Sequence, residues 1–287
     1  MTINPMNPLH ALLADLAVVP SFSSFEERMH PVVRRMLEPV PGLVWHEIPD
    51  NNLVAYIPGE SGRGPVGLSA HLDKINHFGQ SPPEVLPFQM DDTRVTGQLD
   101  NSVGLAICIA VAKLASTHNF PPLLLLFSEM EEQFGLKHHP HLLKNGGSGL
   151  YSGIGAGRIS RYLIEKQLLP ASVMTVDTTP LFKGKSGVAL YSEHWHFTGV
   201  RPGKKEKQRT VRIRDELLTI DPGLLLSNNT NDYLHYGVEL NRDNRHGIPS
   251  LAIEPAIHPY HEKNESVYLA DIERAFRDLI RWLEMTG

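Results

Sequence analysis

The stretch Leu123-Leu124-Leu125-Leu126-Phe127, followed at once by Ser128-Glu129-Met130-Glu131-Glu132, decides the fold. An apolar run without alternation is the pattern of a strand covered on both faces, as in a parallel sheet flanked by helices. The paired carboxylates then stand where that strand ends. Val66-Gly67-Leu68-Ser69-Ala70 reads as a second short strand and leads directly into His71. Further strands are expected at 172–177, 187–191 and 250–254, and at 43–48 and 52–57 around the turn residues Asp50, Asn51 and Asn52. Helical patterns lie between them. Pro8 suits a first helical position, and Ser24 with Glu27 has capping-box spacing ahead of the stripe Met29, Val32, Val33, Met36 and Leu37. Residues 102–116, 158–167, 208–219 and 268–284 also read as helices, and 136–157 as a long irregular loop. The alternation predicts an α/β fold with a mixed, mostly parallel central sheet and helices on both sides.

Ligands of open α/β sheets bind outside the carboxyl ends of the strands. Three chemistry-bearing positions follow predicted strands: His71 in LSAHLD, Glu132 beside Glu131, and Asp177 at the end of VMTVD. Asp100 in GQLDNSVG precedes a helix, and His261 opens HEKNESV before the last one. Two histidines and three carboxylates are a ligand set for a pair of divalent metals. Two such ions about 3.5–4 Å apart can share one water and clamp a scissile carbonyl.

The bulk properties permit this and exclude other classes. With 287 residues, 41% of them apolar, and a net charge of −5, the chain is an ordinary globular protein. Its mild acidity gives no general attraction for nucleic acid or an anionic membrane. No apolar run nears the ~20 residues that span a bilayer. The N-terminus lacks the basic start of a secretory signal, and Cys108 is the lone cysteine, so the cytoplasm is the expected compartment. Cys108 lies among Ile107, Ile109 and Ala110 and reads as a packed hydrophobe. GIGAG at 153–157 lacks a preceding strand and full Gly-x-Gly-x-x-Gly spacing, so no dinucleotide site is expected. Ser102 lies in no nucleophile elbow.

The chain resembles the di-zinc exopeptidase clan with a phosphorylase/hydrolase-like fold, which includes glutamyl and leucyl aminopeptidases and related deacylases. The resemblance rests on VVPSFSSFEERM, SAHLD, LDNSVG, EMEEQFGL, TVDTT and HPYHEKNESV in family order, with NTNDYLHYG and GIPSLAI before the last. It implies that Asp100 bridges two metals, that His71 and Asp177 complete one, and that Glu132 and His261 complete the other. It implies Glu131 as general base and Asp73 as the group that orients His71. Asn101 is implied to sit in a strained peptide link. Zinc fits such nitrogen and oxygen donors, and cobalt or manganese would also suit them.

Taken alone, Glu131-Glu132 would read as a solvated helix start, and Asp177 as a cap. Their ordered company argues otherwise. His71 and Asp100 are too close in sequence for the second domain that family members often insert there. A single catalytic domain over 1–287 is expected, with a small arm or subdomain near 192–222 and homo-oligomeric assembly left open. The expected function is a metal-dependent aminopeptidase on short peptides. Its rivals are a deacylase or carboxypeptidase acting on N-acyl amino acids and a catalytically silent relative. A carboxylate would read a free amine and an arginine a free carboxylate. Glu193, Asp232, Arg201, Arg242 and Arg245 all lie in plausible loops. His194 and His196, and the cluster His138, His139 and His141, read as surface polar groups rather than ligands.

Overall fold

The computed structural model describes residues 8–60, 62–228, 231–243 and 246–285. Its strands are β1 (Val44–His46), β2 (Leu53–Ile57), β3 (Val66–His71), β4 (Gln89–Met90), β5 (Arg94–Gly97) and β6 (Leu123–Ser128), then β7 (Ser172–Val176), β8 (Val188–Tyr191), β9 (Leu225–Ser227), β10 (Ser250–Pro255) and β11 (Glu265–Tyr268). The helices are α1 (Pro8–Ala17), α2 (His30–Leu37), α3 (Ser102–Leu114), α4 (Gln133–His138) and α5 (Ile154–Glu165), then α6 (Trp195–Thr198), α7 (Lys204–Ile220), α8 (Asp232–Glu239) and α9 (Leu269–Met285).

One sheet has the order β1-β2-β6-β3-β7-β10-β8-β9. Its centre, β6-β3-β7-β10, is parallel throughout, and antiparallel pairs flank it at β2–β6 and β10–β8. This is the mixed, mostly parallel sheet expected from the apolar runs. The alternating pleat explains why β6 is apolar at every step. Leu123, Leu125 and Phe127 join the core built with α1, α2, α3 and α9. Leu124 and Leu126 face the opposite core, with Ile159 and Leu163 of α5 and Tyr236 of α8. Each such side chain contributes roughly 1.5–3 kcal/mol on burial, so neither face of β6 can be made polar cheaply.

The second sheet, β11-β5-β4, was not legible in the sequence, and neither was α8. Two corrections accompany them. Ser24 and Glu27 form no capping box: residues Glu26–Arg28 make a 3₁₀ turn and α2 starts at His30. The reason is Glu26, whose buried carboxylate accepts from Ser24 N at 2.8 Å and turns the chain left-handed at Ser24, φ 70°. Residues 136–157 are more regular than a loop. They contain the end of α4, two short 3₁₀ turns and the start of α5.

The start of α3 ties the two halves of the sheet's upper rim together. Asn101 caps the helix by accepting from Gly104 N at 2.7 Å, and its Nδ2 donates to Val176 O at 2.8 Å. A Cβ on Gly104 would stand 2.1 Å from Val176 O and 2.3 Å from Asn101 Oδ1. Gly104→Ala is therefore expected to destabilise the fold by about 1–3 kcal/mol through overpacking. A lowered denaturant midpoint would show it; an unchanged midpoint would mean α3 can shift away from β7.

Candidate metal centre

All five predicted ligands meet above the carboxyl ends of the parallel strands. His71 is the last residue of β3, Asp177 follows β7, and Glu131 and Glu132 follow β6. Asp100 precedes the cap of α3, and His261 lies between β10 and β11. His71 Nε2 stands 3.2 Å from Asp100 Oδ1 and 3.6 Å from Asp177 Oδ1. On the other side, His261 Nε2 stands 3.2 Å from Glu132 Oε2 and 3.7 Å from Asp100 Oδ2. Asp100 thus offers one oxygen to each of two trios, His71–Asp100–Asp177 and Asp100–Glu132–His261. The donor atoms of each trio lie within 4.8 Å of one another. His71, Glu131 and Glu132 form a third such grouping.

The donor chemistry fits divalent cations. Both oxygens of Glu132 and Nε2 of His261 are buried without a hydrogen-bond partner. Buried polar atoms are seldom left so, because each costs about 1–3 kcal/mol. Charge tells the same story. Burial, then repulsion from Asp100, pushes the Asp177 carboxyl up to about 7. Burial also raises Glu131 and Glu132 well above the usual carboxylate range, with neighbouring carboxylates adding to it, although His71 pulls the other way. At His71, burial opposes the cation, but Asp177 and contacts with Asp100 and Asp73 outweigh it and raise its pKa well above normal.

Three carboxylates act on the backbone around this cluster. Asp73 is fully buried and accepts from Glu131 N (3.0 Å), Glu132 N (3.2 Å) and Ser23 Oγ (2.8 Å), with His71 Nδ1 3.2 Å from its Oδ1. Glu26 accepts from Met130 N at 3.1 Å and from Asn51 Nδ2 at 2.9 Å. Met130 is thereby held at φ 54°, the left-handed turn that swings the next two glutamates over the sheet. Glu265 on β11 accepts from Leu99 N (2.7 Å) and Asp100 N (3.1 Å). The Asp100–Asn101 peptide is cis, and His261 has φ 56°.

Glu26 and Glu265 were not picked out as functional in the sequence. The Ser-x-x-Glu spacing also runs from Ser23 to Glu26, one register before the pair chosen there, and Glu265 is the residue four places after His261. Lys74 is likewise buried, donating through Nζ to the carbonyls of Leu16, Ala17 and Val19 and anchoring the end of α1 beside Asp73.

Other nominated groups lie elsewhere. His194 is buried rather than on the surface, with Nε2 2.7 Å from Glu206 Oε1. His196 is exposed and pairs with Glu193. Glu193 also pairs with Arg214, Arg242 with Glu239, and Asp232 is fully buried beneath Ser128 Oγ. Arg201 is exposed, and Arg245 lies outside the described residues. Cys108 is a buried free thiol, as its apolar neighbours suggested. No described helix is long and apolar enough to cross a membrane.

No protein-family model and no curated protein matches the chain. Solved structures do. An aminopeptidase from the archaeon Desulfurococcus kamchatkensis superposes with a TM-score of 0.66 at 16% identity, over 96% of this chain and 94% of that one. The chain has an aminopeptidase-like fold. The Pyrococcus horikoshii TET1 peptidase, which can assemble into a tetrahedron or a large octahedral shell, gives 0.62 at 14% identity over 96% and 98%. An endoglucanase from Thermotoga maritima gives 0.61 at 15% identity over 95% and 96%. These names differ in activity, and at such identities the likeness carries the fold alone. The resemblance read from the ordered phrases is borne out at that level.

Two outcomes follow from the geometry. Asp73→Asn loses one acceptor oxygen facing His71 and the Glu131–Glu132 backbone, and should weaken zinc binding about 10–100-fold in a chelator competition. Unchanged affinity would mean His71 needs no such support. Because the Asp177 carboxyl is pushed up to about 7, the metal-free protein holds a proton there below that pH, and the raised Glu131 and Glu132 carboxyls also favour their protonated forms. Cation binding should displace these protons, so affinity should rise with pH through that value. Calorimetry in buffers of different ionisation enthalpy reads the released protons directly; no release would mean the carboxylates are already ionised.

Proposed function

We propose that the protein is a two-metal-dependent hydrolase of amide bonds, acting as an aminopeptidase on short peptides. The observation that carries this reading is the position of Asp100 between the two trios, with Glu131 at the edge of both. His71, Asp100 and Asp177 would hold one cation, and Asp100, Glu132 and His261 the other. Zinc, cobalt or manganese bound there supplies Lewis acidity to the scissile carbonyl and to the attacking water.

The chain's own groups do the rest. Glu131 lines a cavity of about 560 Å³ together with Glu132 and His261, so a substrate lying in it meets all three. Held by Asp73 through its backbone, Glu131 takes the proton of the attacking water and returns it to the leaving nitrogen. Burial raises its pKa above the usual carboxylate range, which makes it a stronger proton acceptor than an exposed glutamate.

No lysine or arginine lines the cavity among the described residues, whereas Glu131 and Glu132 do, with Glu239 further out and paired with Arg242. A free amine is therefore better received there than a carboxylate. The rival deacylase needs a cation for the carboxylate of an N-acyl amino acid, and no lysine or arginine among the described lining residues supplies one. Assaying aminoacyl anilides and N-acetyl amino acids side by side separates the two.

Glu131→Gln keeps the size and position of the side chain but cannot accept the proton. It should retain both metals and lose about 10²–10⁴-fold in kcat. Near-normal turnover with full metal content would remove Glu131 from the role of base.

A further inference from the structure

The cavity extends beyond the acid cluster between α6 and α8. Leu234 and Val238, four residues apart on one face of α8, line it with Phe197 of α6 and Tyr260. Gln133, Ser152, Thr198, Asn231 and His235 line the rest of the cavity, and Glu239 is its carboxylate away from the reacting end, already paired with Arg242. No described lining residue is Lys or Arg.

This wall is built rather than incidental. His194 is buried against Gly237 of α8, where a Cβ would stand 2.5 Å from the imidazole. The same ring reaches Glu206 of α7 at 2.7 Å, and its residue's carbonyl accepts from Phe197 N (3.0 Å) and Thr198 N (2.9 Å). The backbone of Phe197 is thus held by the turn that starts at His194, and the residue itself is 58% exposed. Leu234 is backed by Tyr191 and Tyr233.

We propose that this wall selects an apolar side chain, of leucine, methionine or phenylalanine size, on the acyl side of the bond that is cleaved. The inference rests on the reading of the site as an amide hydrolase and adds its substrate class. A cationic side chain would give up hydration against Leu234 and Val238 and find its one carboxylate already paired. An acidic side chain would meet Glu131, Glu132 and Glu239 with no unpaired cation among the lining residues. An apolar side chain meets neither cost and covers Phe197, Leu234 and Val238.

The test compares leucine, lysine and glutamate 4-nitroanilides on the zinc-loaded protein, alongside equilibrium binding of the three corresponding amino-acid hydroxamates. Leucine should lead in kcat/KM and in affinity by about tenfold or more. Val238 is half-buried on a helix, so Val238→Glu should fold and shift the leucine-to-lysine ratio toward lysine by about tenfold or more. Phe197→Ala should raise KM for the leucine substrate several-fold more than for the alanine substrate. Wild-type preference for lysine or glutamate overturns the inference, as does a ratio that neither variant moves. Leucine-selective hydroxamate binding without turnover of any amide would uphold the cavity's selectivity and remove the hydrolase reading instead.

Discussion

Burying several carboxylates within a few ångströms of one another is the constraint on which the rest of this structure depends. Asp100, Glu132 and Asp177 share the space above β6, β3 and β7, with Glu131 at its edge and Asp73 below. Removing an ionised carboxylate from water costs several kcal/mol even after relaxation, and repulsion adds to it. Among the described residues, His71 and His261, the N-terminus of α3 beside Asp100, and hydrogen bonds from Thr178 N, Glu131 N and Ser23 Oγ oppose that cost. The raised pKa values of Glu131, Glu132 and Asp177 measure what remains uncompensated. A pair of divalent cations would have the charge to remove that deficit, so the side chains that cost stability here are also those whose donors fit a metal.

Such a cluster holds its shape only if the backbone beneath it is fixed. The protein does this with carboxylates that point at peptide N–H groups: Glu26 at Met130, Asp73 at Glu131 and Glu132, and Glu265 at Leu99 and Asp100. Each satisfies donors that the ends of strands and the starts of turns leave without partners. The left-handed backbone at Met130 and His261 follows from the same need, since an extended chain at either point would carry its ligand away from Asp100.

The central sheet was legible because a doubly covered strand leaves a strong mark: Leu123–Phe127 has no polar residue on either face. His71, Glu132 and Asp177 were legible because they follow such runs and Asp100 because a helix starts beside it, whereas His261 was marked only by the phrase around it. What escaped was set by distant partners. Nothing local distinguishes Glu26 from Glu27; burial against Met130, 104 positions on, makes the difference. The strands of the small sheet are two to four residues long and depend on pairing between β5 and β11 across most of the chain. Helix α8 opens with Asn231 and Asp232, which look like turn residues until Asn231 is seen to cap Tyr233. Of the terminus readers nominated from loops, Glu193 and Arg242 are in ion pairs with Arg214 and Glu239, and Asp232 is in the interior, because charge alone does not say which way a loop faces.

The braces of the acid cluster come from both ends of the chain. Ser23 and Glu26 lie within its first tenth of residues, and Glu265 lies close to its last helix. The contact from Glu265 to Asp100 joins segments 165 positions apart. During synthesis, a nascent chain that has not yet released β11 has its first four ligand positions but neither His261 nor the acceptor that holds Asp100. The cluster therefore has all its members only once β11 has left the ribosome.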